Sequence, residues 1–199
     1  MAIFKFYKSK KSIVLPIAKY LNHLYSIFQV QPSFYKEETL QEGVPGITII
    51  VYEDMPYPGC ITGVTYGLSL VKHPDWENGR TELCITVESS CLDWALMTGC
   101  IANKLRGSFN FSYGKTITFG KPICKDSDMD AFFIYAPGIL DVDEYLDIDI
   151  GTDYKINIAG LYPMYSDELK EYYRSGFEKF WHDACFYNYS VNRKRVTIP

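Results

Sequence analysis

The chain has 199 residues, a size that one hydrophobic core can organise, so a single domain over 1–199 is the expectation. Its formal net charge of -4 argues against a general nucleic-acid binder, and no apolar run approaches the length of a membrane span. Aromatic residues make up 16%, with 17 Tyr and 12 Phe, which suits a core and a contact surface alike.

The charge is unevenly distributed. Lys5, Lys8, Lys10, Lys11 and Lys19 fall in the first twenty residues without an acid. Residues 126–153 carry Asp126, Asp128, Asp130, Asp141, Asp143, Glu144, Asp147, Asp149 and Asp153 without a base. The start lacks a long apolar segment and a small-residue cleavage site, so it does not read as a signal peptide. The six cysteines show no CxxC spacing and no zinc-like Cys/His pattern. They read as reduced, mostly buried thiols of a cytoplasmic protein.

In chain order, residues 11–28 predict an amphipathic helix. Ile17, Leu21, Leu24 and Phe28 lie on one face, and Pro16 suits its first turn. Residues 1–40 as a whole read as an N-terminal helical extension. Residues 30–46, with Pro32, Gly43, Pro45 and Gly46, predict a connection with little regular structure. Ile47–Tyr52 is β-branched and reads as a strand, closed by the turn Met55-Pro56-Tyr57-Pro58-Gly59. Cys60–Leu70 resumes an extended pattern, with Gly63 and Gly67 as candidate bulges. Thr81–Glu88 alternates polar and apolar residues, as a strand with one buried face does. A second helix is expected over 91–105, capped by Ser90 and stopped by Gly107.

Thr116–Phe119, Ala131–Tyr135 and Tyr154–Ala159 are further strands. A third helix starts after Ser166 and is expected to run through Gly176 to Cys185. Val191–Ile198 reads as an edge strand. The fold class is therefore α+β: a mostly antiparallel sheet with helices packed against it.

The motifs of nucleotide-binding loops, zinc proteases and α/β-hydrolases are absent, and no cofactor or metal is expected. The histidines His23, His73 and His182 are far apart in sequence, although a Cys–His pair assembled in space stays open. The segment Asp141–Asp153 is the most unusual local feature. On an extended chain it would place carboxylates on one face and aliphatics on the other. It reads as a solvated face, as a docking site for a basic protein through Asp141, Asp143, Glu144, Asp147 and Asp149, or as a calcium site. The last lacks the DxDxDG order. The short basic runs Lys8–Lys11 and Arg193–Arg195 read as solvated termini.

An ordered series of short motifs resembles the suppressor-of-fused domain. Thr65-Tyr66-Gly67-Leu68-Ser69 is similar to that family's T-x-G-[ML]-S strand, and Arg80-Thr81-Glu82-Leu83 to its R-x-E-L opening. Gly114 through Pro122-Ile123 is similar to the stretch before its P-[IL] step. Phe132–Pro137 resembles a strand ending in proline. Leu161–Tyr165, followed by Glu168-Leu169 and Gly176, resembles the segment before the last helix. The resemblance covers roughly residues 45–180 and leaves 1–40 unmatched. The chain also lacks the length for the additional C-terminal domain of the animal proteins.

The resemblance implies an α+β binding domain without catalytic residues. Animal members bind a transcription-factor peptide, partly by strand addition, and many bacterial members look like immunity proteins that neutralise polymorphic toxins. The expected partner is therefore a protein, in the leading reading a basic toxin domain. The alternative is a scaffold or regulator that binds a peptide at a sheet edge. An enzyme with a Cys–His or carboxylate pair is the third class.

Overall fold

A computed structural model describes residues 15–197, so the basic N-terminal lysines before Leu15 lie outside the described residues. The first element, α1 (Pro16–Phe28), begins with the proline in its first turn and ends at Gln29, whose φ of 55° lets its N–H reach Tyr25 O at 3.0 Å. Its buried face is Tyr20, Leu24 and Phe28; Ile17 and Leu21 are half-buried. The stripe is thus turned slightly from the one the aliphatic spacing predicts, because Tyr20 takes the central position.

Seven strands form one sheet: β1 (Ser33–Glu37), β2 (Ile47–Glu53), β3 (Ile61–Tyr66), β4 (Arg80–Val87), β5 (Thr116–Thr118), β6 (Ala131–Tyr135) and β7 (Ile156–Met164). Their order is β1-β2-β3-β4-β7-β6-β5, antiparallel everywhere except the β4–β7 junction. The predicted α+β class is therefore correct. β1 was not expected: it forms inside the stretch read as irregular, where Phe34 and Tyr35 pair with Ile50 and Ile49.

Helices cover both faces. On one, α2 (Asp93–Leu105) packs Trp94, Ala95, Ile101 and Ala102 on Ile49, Val51, Leu83, Ile85 and Phe132. On the other, α1 covers Ile50, Tyr52, Val64, Cys84, Ile156 and Ile158. Each such aliphatic side chain taken from water contributes roughly 1.5–3 kcal/mol. Because the sheet is sandwiched, β4 is buried on both faces from Glu82 to Val87, and its polar–apolar alternation does not mark a solvent face. Gly63 is no bulge. It sits in regular β2–β3–β4 pairing under α2, where a Cβ would come within 2.8 Å of the Ala95 Cβ.

The predicted third helix is broken. It forms α4 (Leu169–Ser175) and α5 (Phe177–Trp181), separated by Gly176 with φ +80°. The reversal brings Phe177 and Trp181 onto Phe133 and Tyr135, in an aromatic cluster with ring centroids 4.4–6.1 Å apart. A further short helix, α3 (Val142–Tyr145), precedes β7. Within 191–197 the tail forms no strand. It is held instead by the buried Arg193, whose guanidinium grips Glu168 at 2.6 and 2.7 Å.

Two local readings also change at α2. The helix starts at Asp93 and carries no side-chain cap; the nearby hydroxyl that accepts the Cys91 N–H, at 2.9 Å, belongs to Ser89 and not to Ser90. Cys91 and Cys124, read as reduced thiols, are joined as a disulfide across 33 residues, a pairing that no spacing rule indicates. Among the described residues Cys60, Cys84, Cys100 and Cys185 are free. No helix among the described residues is long and apolar enough to cross a membrane.

Candidate partner-binding surface

The geometry of one end of the sheet is set by Glu82 in β4. Its side chain is fully buried, and burial pushes its carboxyl up from the ordinary range while surrounding donors oppose that shift. It accepts from Thr65 Oγ1 at 2.7 Å, Gly67 N at 2.8 Å, Leu68 N at 3.3 Å, Ser69 N at 3.0 Å and Ser69 Oγ at 2.6 Å. Thr65 Oγ1 itself accepts from Leu83 N, so its proton is committed to Glu82. Arg106, buried beside it, donates to the carbonyls of Pro45 and Gly67, and Arg80 donates to that of Ser69. The stretches Thr65–Ser69 and Arg80–Leu83 are thus two halves of one hydrogen-bonded hub. Sealed from solvent, this carboxylate fixes a loop and contacts no substrate space.

The loop that follows, residues 71–79, is tied down on both sides. Trp76 Nε1 donates to Asn110 O at 2.8 Å, Asn157 Nδ2 to Asn78 O at 2.8 Å, and Arg80 N to Lys155 O at 2.8 Å. Two clefts flank it. One, of about 430 Å³, is lined by Trp76, Phe111, Tyr113, Leu146 and Ala159. The other, of about 400 Å³, is more polar and is lined by Lys72, Glu77, Arg80, Asp147, Asp153 and Lys155.

The acidic segment reaches these clefts through Leu146 in the first and Asp147 and Asp153 in the second, and its shape differs from the extended one predicted. Asp141–Tyr145 is a helical turn: the Asp141 N–H donates to Glu144 at 2.8 Å, and the Glu144 carbonyl lies 2.7 Å from His23 Nε2 of α1. Asp147 takes a left-handed φ of 53°, and its N–H donates to Asn157. Alternation holds only from there on, with Ile148 and Ile150 buried and Asp147 and Asp149 exposed. Asp149 accepts from Lys155 Nζ at 2.6 Å and Gly151 N at 2.8 Å, which holds its carboxyl below the usual value. Asp141, Asp143 and Asp147 are exposed and form no ion pair among the described residues. Two acids of the same rich region serve the fold instead: Asp126 accepts from Ser89 and Trp94, and Asp130 from Ser166.

Sequence reasoning missed the clefts, because their walls come from four segments distant along the chain. The Asn78-Gly79 turn beside Trp76 was the local signal available. The three histidines lie on separate elements. His23 meets the Glu144 carbonyl, His73 lies 3.8 Å from Asp75, and His182 lies 3.6 Å from Glu178 on α5.

No curated protein matches the chain. Among solved structures, it is similar to a protein from Neisseria gonorrhoeae described as a suppressor of fused homolog, with TM-score 0.64 and 16% identity over 91% of this chain and 96% of that one. Drosophila Suppressor of Fused gives TM-score 0.64 at 13% identity, covering 90% of this chain and 50% of that one. A chain of the Sufu–Fu complex gives TM-score 0.61 at 13% identity, covering 90% and 91%. At such identities these likenesses speak for the fold. The family model described as Suppressor of fused protein matches residues 43–189, from the loop before β2 to the residues after α5, and with that match the chain belongs to the suppressor of fused family.

Proposed function

We propose that this chain is a non-enzymatic protein-binding module of one domain, acting in the cytoplasm as an immunity protein that binds and neutralises a cognate polymorphic toxin. The observation that carries the reading is the exposed carboxylates Asp141, Asp143 and Asp147 of one segment, with Asp147 lining a polar cleft next to a second cleft walled by Trp76 and Tyr113. Clustered carboxylates speed encounter with a basic partner, and half-open aromatic pockets supply the anchors that hold it. The hub at Glu82 keeps this surface rigid, so little ordering entropy opposes binding. Membership of a family in which one solved structure is a complex with a protein, Fu, supports the module reading.

The test is association kinetics with the protein that co-purifies from the native host. The double variant Asp147→Lys/Asp149→Lys slows association about tenfold at low salt and flattens its salt dependence. Wild-type rates in that variant would sink the acidic docking idea.

A second reading has its own observation. β1 pairs on one side only, with β2, and carries the exposed Phe34 above a cleft of about 280 Å³ lined by Leu21, Tyr25, Pro32 and Tyr52. An extended peptide added along β1 would use its free backbone groups. Binding lost on methylation of the peptide's amides, and untouched by the Asp147/Asp149 reversal, selects this reading.

A further inference from the structure

Where α2 begins, three metal-ligating side chains converge that the docking surface does not use. The sulfurs of Cys91 and Cys124 and a carboxylate oxygen of Asp126 all lie within 4.8 Å of one another, and among the described residues this is the one such group of three. We propose that, once its disulfide is reduced, this group is a binding site for a thiolate-preferring divalent cation of the zinc class.

Four observations carry it. First, the donor set is two thiolates and one carboxylate, which selects zinc-like ions over calcium or magnesium, whose ligands are oxygens. Second, the Cα atoms of Cys91 and Cys124 are 7.3 Å apart, a separation that two thiolates sharing one tetrahedral ion, with sulfurs roughly 3.8 Å apart, span comfortably. Third, Asp126 is already positioned. It accepts from Trp94 Nε1 at 3.0 Å and Ser89 Oγ at 2.5 Å, and Ser89 Oγ accepts from Cys91 N at 2.9 Å, so the serine proton is committed to the carboxylate. Each carboxylate oxygen keeps a lone pair free. Such outer hydrogen bonds fix the direction of a ligand before the ion arrives.

Fourth, the charge suits the place. Two thiolates, a carboxylate and a divalent ion sum to one negative charge, which the positive end of the 13-residue α2 favours. Cys124 is buried and Cys91 half-buried, so the ion would have three protein ligands and a fourth position reached by water. That makes the site exchangeable and open to chelators.

The chemistry balances with a thiol reductant. Two equivalents of a small thiol R–SH convert the Cys91–Cys124 disulfide to two protein thiols and one R–S–S–R. Metal binding then displaces the two thiol protons to solvent and forms two metal–sulfur bonds. In a reducing compartment the metal-bound form replaces the disulfide as the link between the start of α2 and the 121–126 loop.

The test uses Co2+ as a spectroscopic probe on the full chain, prepared as the disulfide form and after anaerobic reduction and desalting. The reduced protein takes up one Co2+ per chain, with a thiolate-to-cobalt charge-transfer band and visible bands of tetrahedral cobalt; the disulfide form shows neither. Cys91→Ser and Cys124→Ser each lose the charge-transfer signal. Asp126→Asn keeps it but binds at least about tenfold more weakly. Cys100→Ser and Cys185→Ser match the wild type. Absence of the band in reduced wild-type protein, a band of equal strength in the disulfide form, or wild-type uptake by Cys91→Ser or Cys124→Ser overturns the proposal. The comparison of the two wild-type forms decides it even if a variant fails to fold.

Discussion

Ser69 donates twice to the same oxygen of Glu82, from its backbone N–H at 3.0 Å and from its hydroxyl at 2.6 Å. A residue of a short 3₁₀ turn is thereby fastened near the start of a central strand. Hydrogen bonds to a buried carboxylate are the strong kind, and an amide in its place keeps one acceptor oxygen but turns an N–H donor toward the donors that meet the other. Glu82→Gln is therefore expected to lower stability by about 3–5 kcal/mol and Ser69→Ala by about 1–2 kcal/mol, read from urea midpoints. A Glu82→Gln midpoint equal to wild type would show that the hub does not hold the loop.

The tail is held by a second buried acid. Arg193 meets Glu168 with both of its terminal nitrogens, while Val196 N and Tyr165 N donate to the same carboxylate at 2.7 and 3.0 Å. Arg193 also lies over the Phe186 ring at 4.6 Å. Arg193→Met leaves the acid buried and unpaired, at an expected cost of about 3–5 kcal/mol. The double variant Glu168→Met/Arg193→Met removes both charges and should recover at least half of that loss. Chemical denaturation of the three proteins checks this, and a double variant weaker than the single one would refute it.

Close packing of α2 on the sheet makes Gly63 sensitive. A methyl there would lie 2.8 Å from the Ala95 Cβ and 2.9 Å from its Cα, backbone that cannot move alone. Gly63→Ala should cost about 1–3 kcal/mol by lifting α2. Adding Ala95→Gly removes the opposing methyl but leaves the helix backbone in the way, so rescue is expected to be partial. Thermal melts of the single and double variants give the comparison.

In the acidic segment, the hydrogen bond from Lys155 is the largest cause of the lowered carboxyl of Asp149, followed by that from Gly151 N. A carboxyl lowered in the folded state stabilises above its unfolded pKa, ordinarily 3.8, and loses that contribution as the pH falls through the lower folded value. Lys155→Met should therefore return the Asp149 titration toward 3.8, as followed by carboxyl chemical shift against pH. An unchanged midpoint would mean that the pair seen at 2.6 Å does not persist in solution.

Period and composition made much of the fold legible. The β-branched run Ile47–Tyr52, the strand Ala131–Tyr135 and the proline-started α1 lie where their residues indicate. What sequence could not reveal depends on neighbours. β1 has no strong pattern of its own and exists because β2 offers it an edge. Glu82 looks like one polar position of an alternating strand, and only the helices on both faces turn it into a buried hub. Gly176 is compatible with a helix locally, and the aromatic surface of Phe133 and Tyr135 decides the break. For the candidate surface, the carboxylates were visible as a run. Their division into exposed Asp141, Asp143 and Asp147, paired Asp149 and capping Glu144 required the fold.

The single parallel junction between β4 and β7 has a consequence for how the chain comes to be folded. β1 to β4 lie next to one another in sequence and in space, so that half can assemble from local contacts as it is synthesised. Its last strand then waits, with one hydrogen-bonding side bare, until Ile156–Met164 has emerged and threads back beside it. During that interval a central strand behaves as a transient sticky margin, the stage of biogenesis at which a chaperone or mispairing with another nascent copy competes for it.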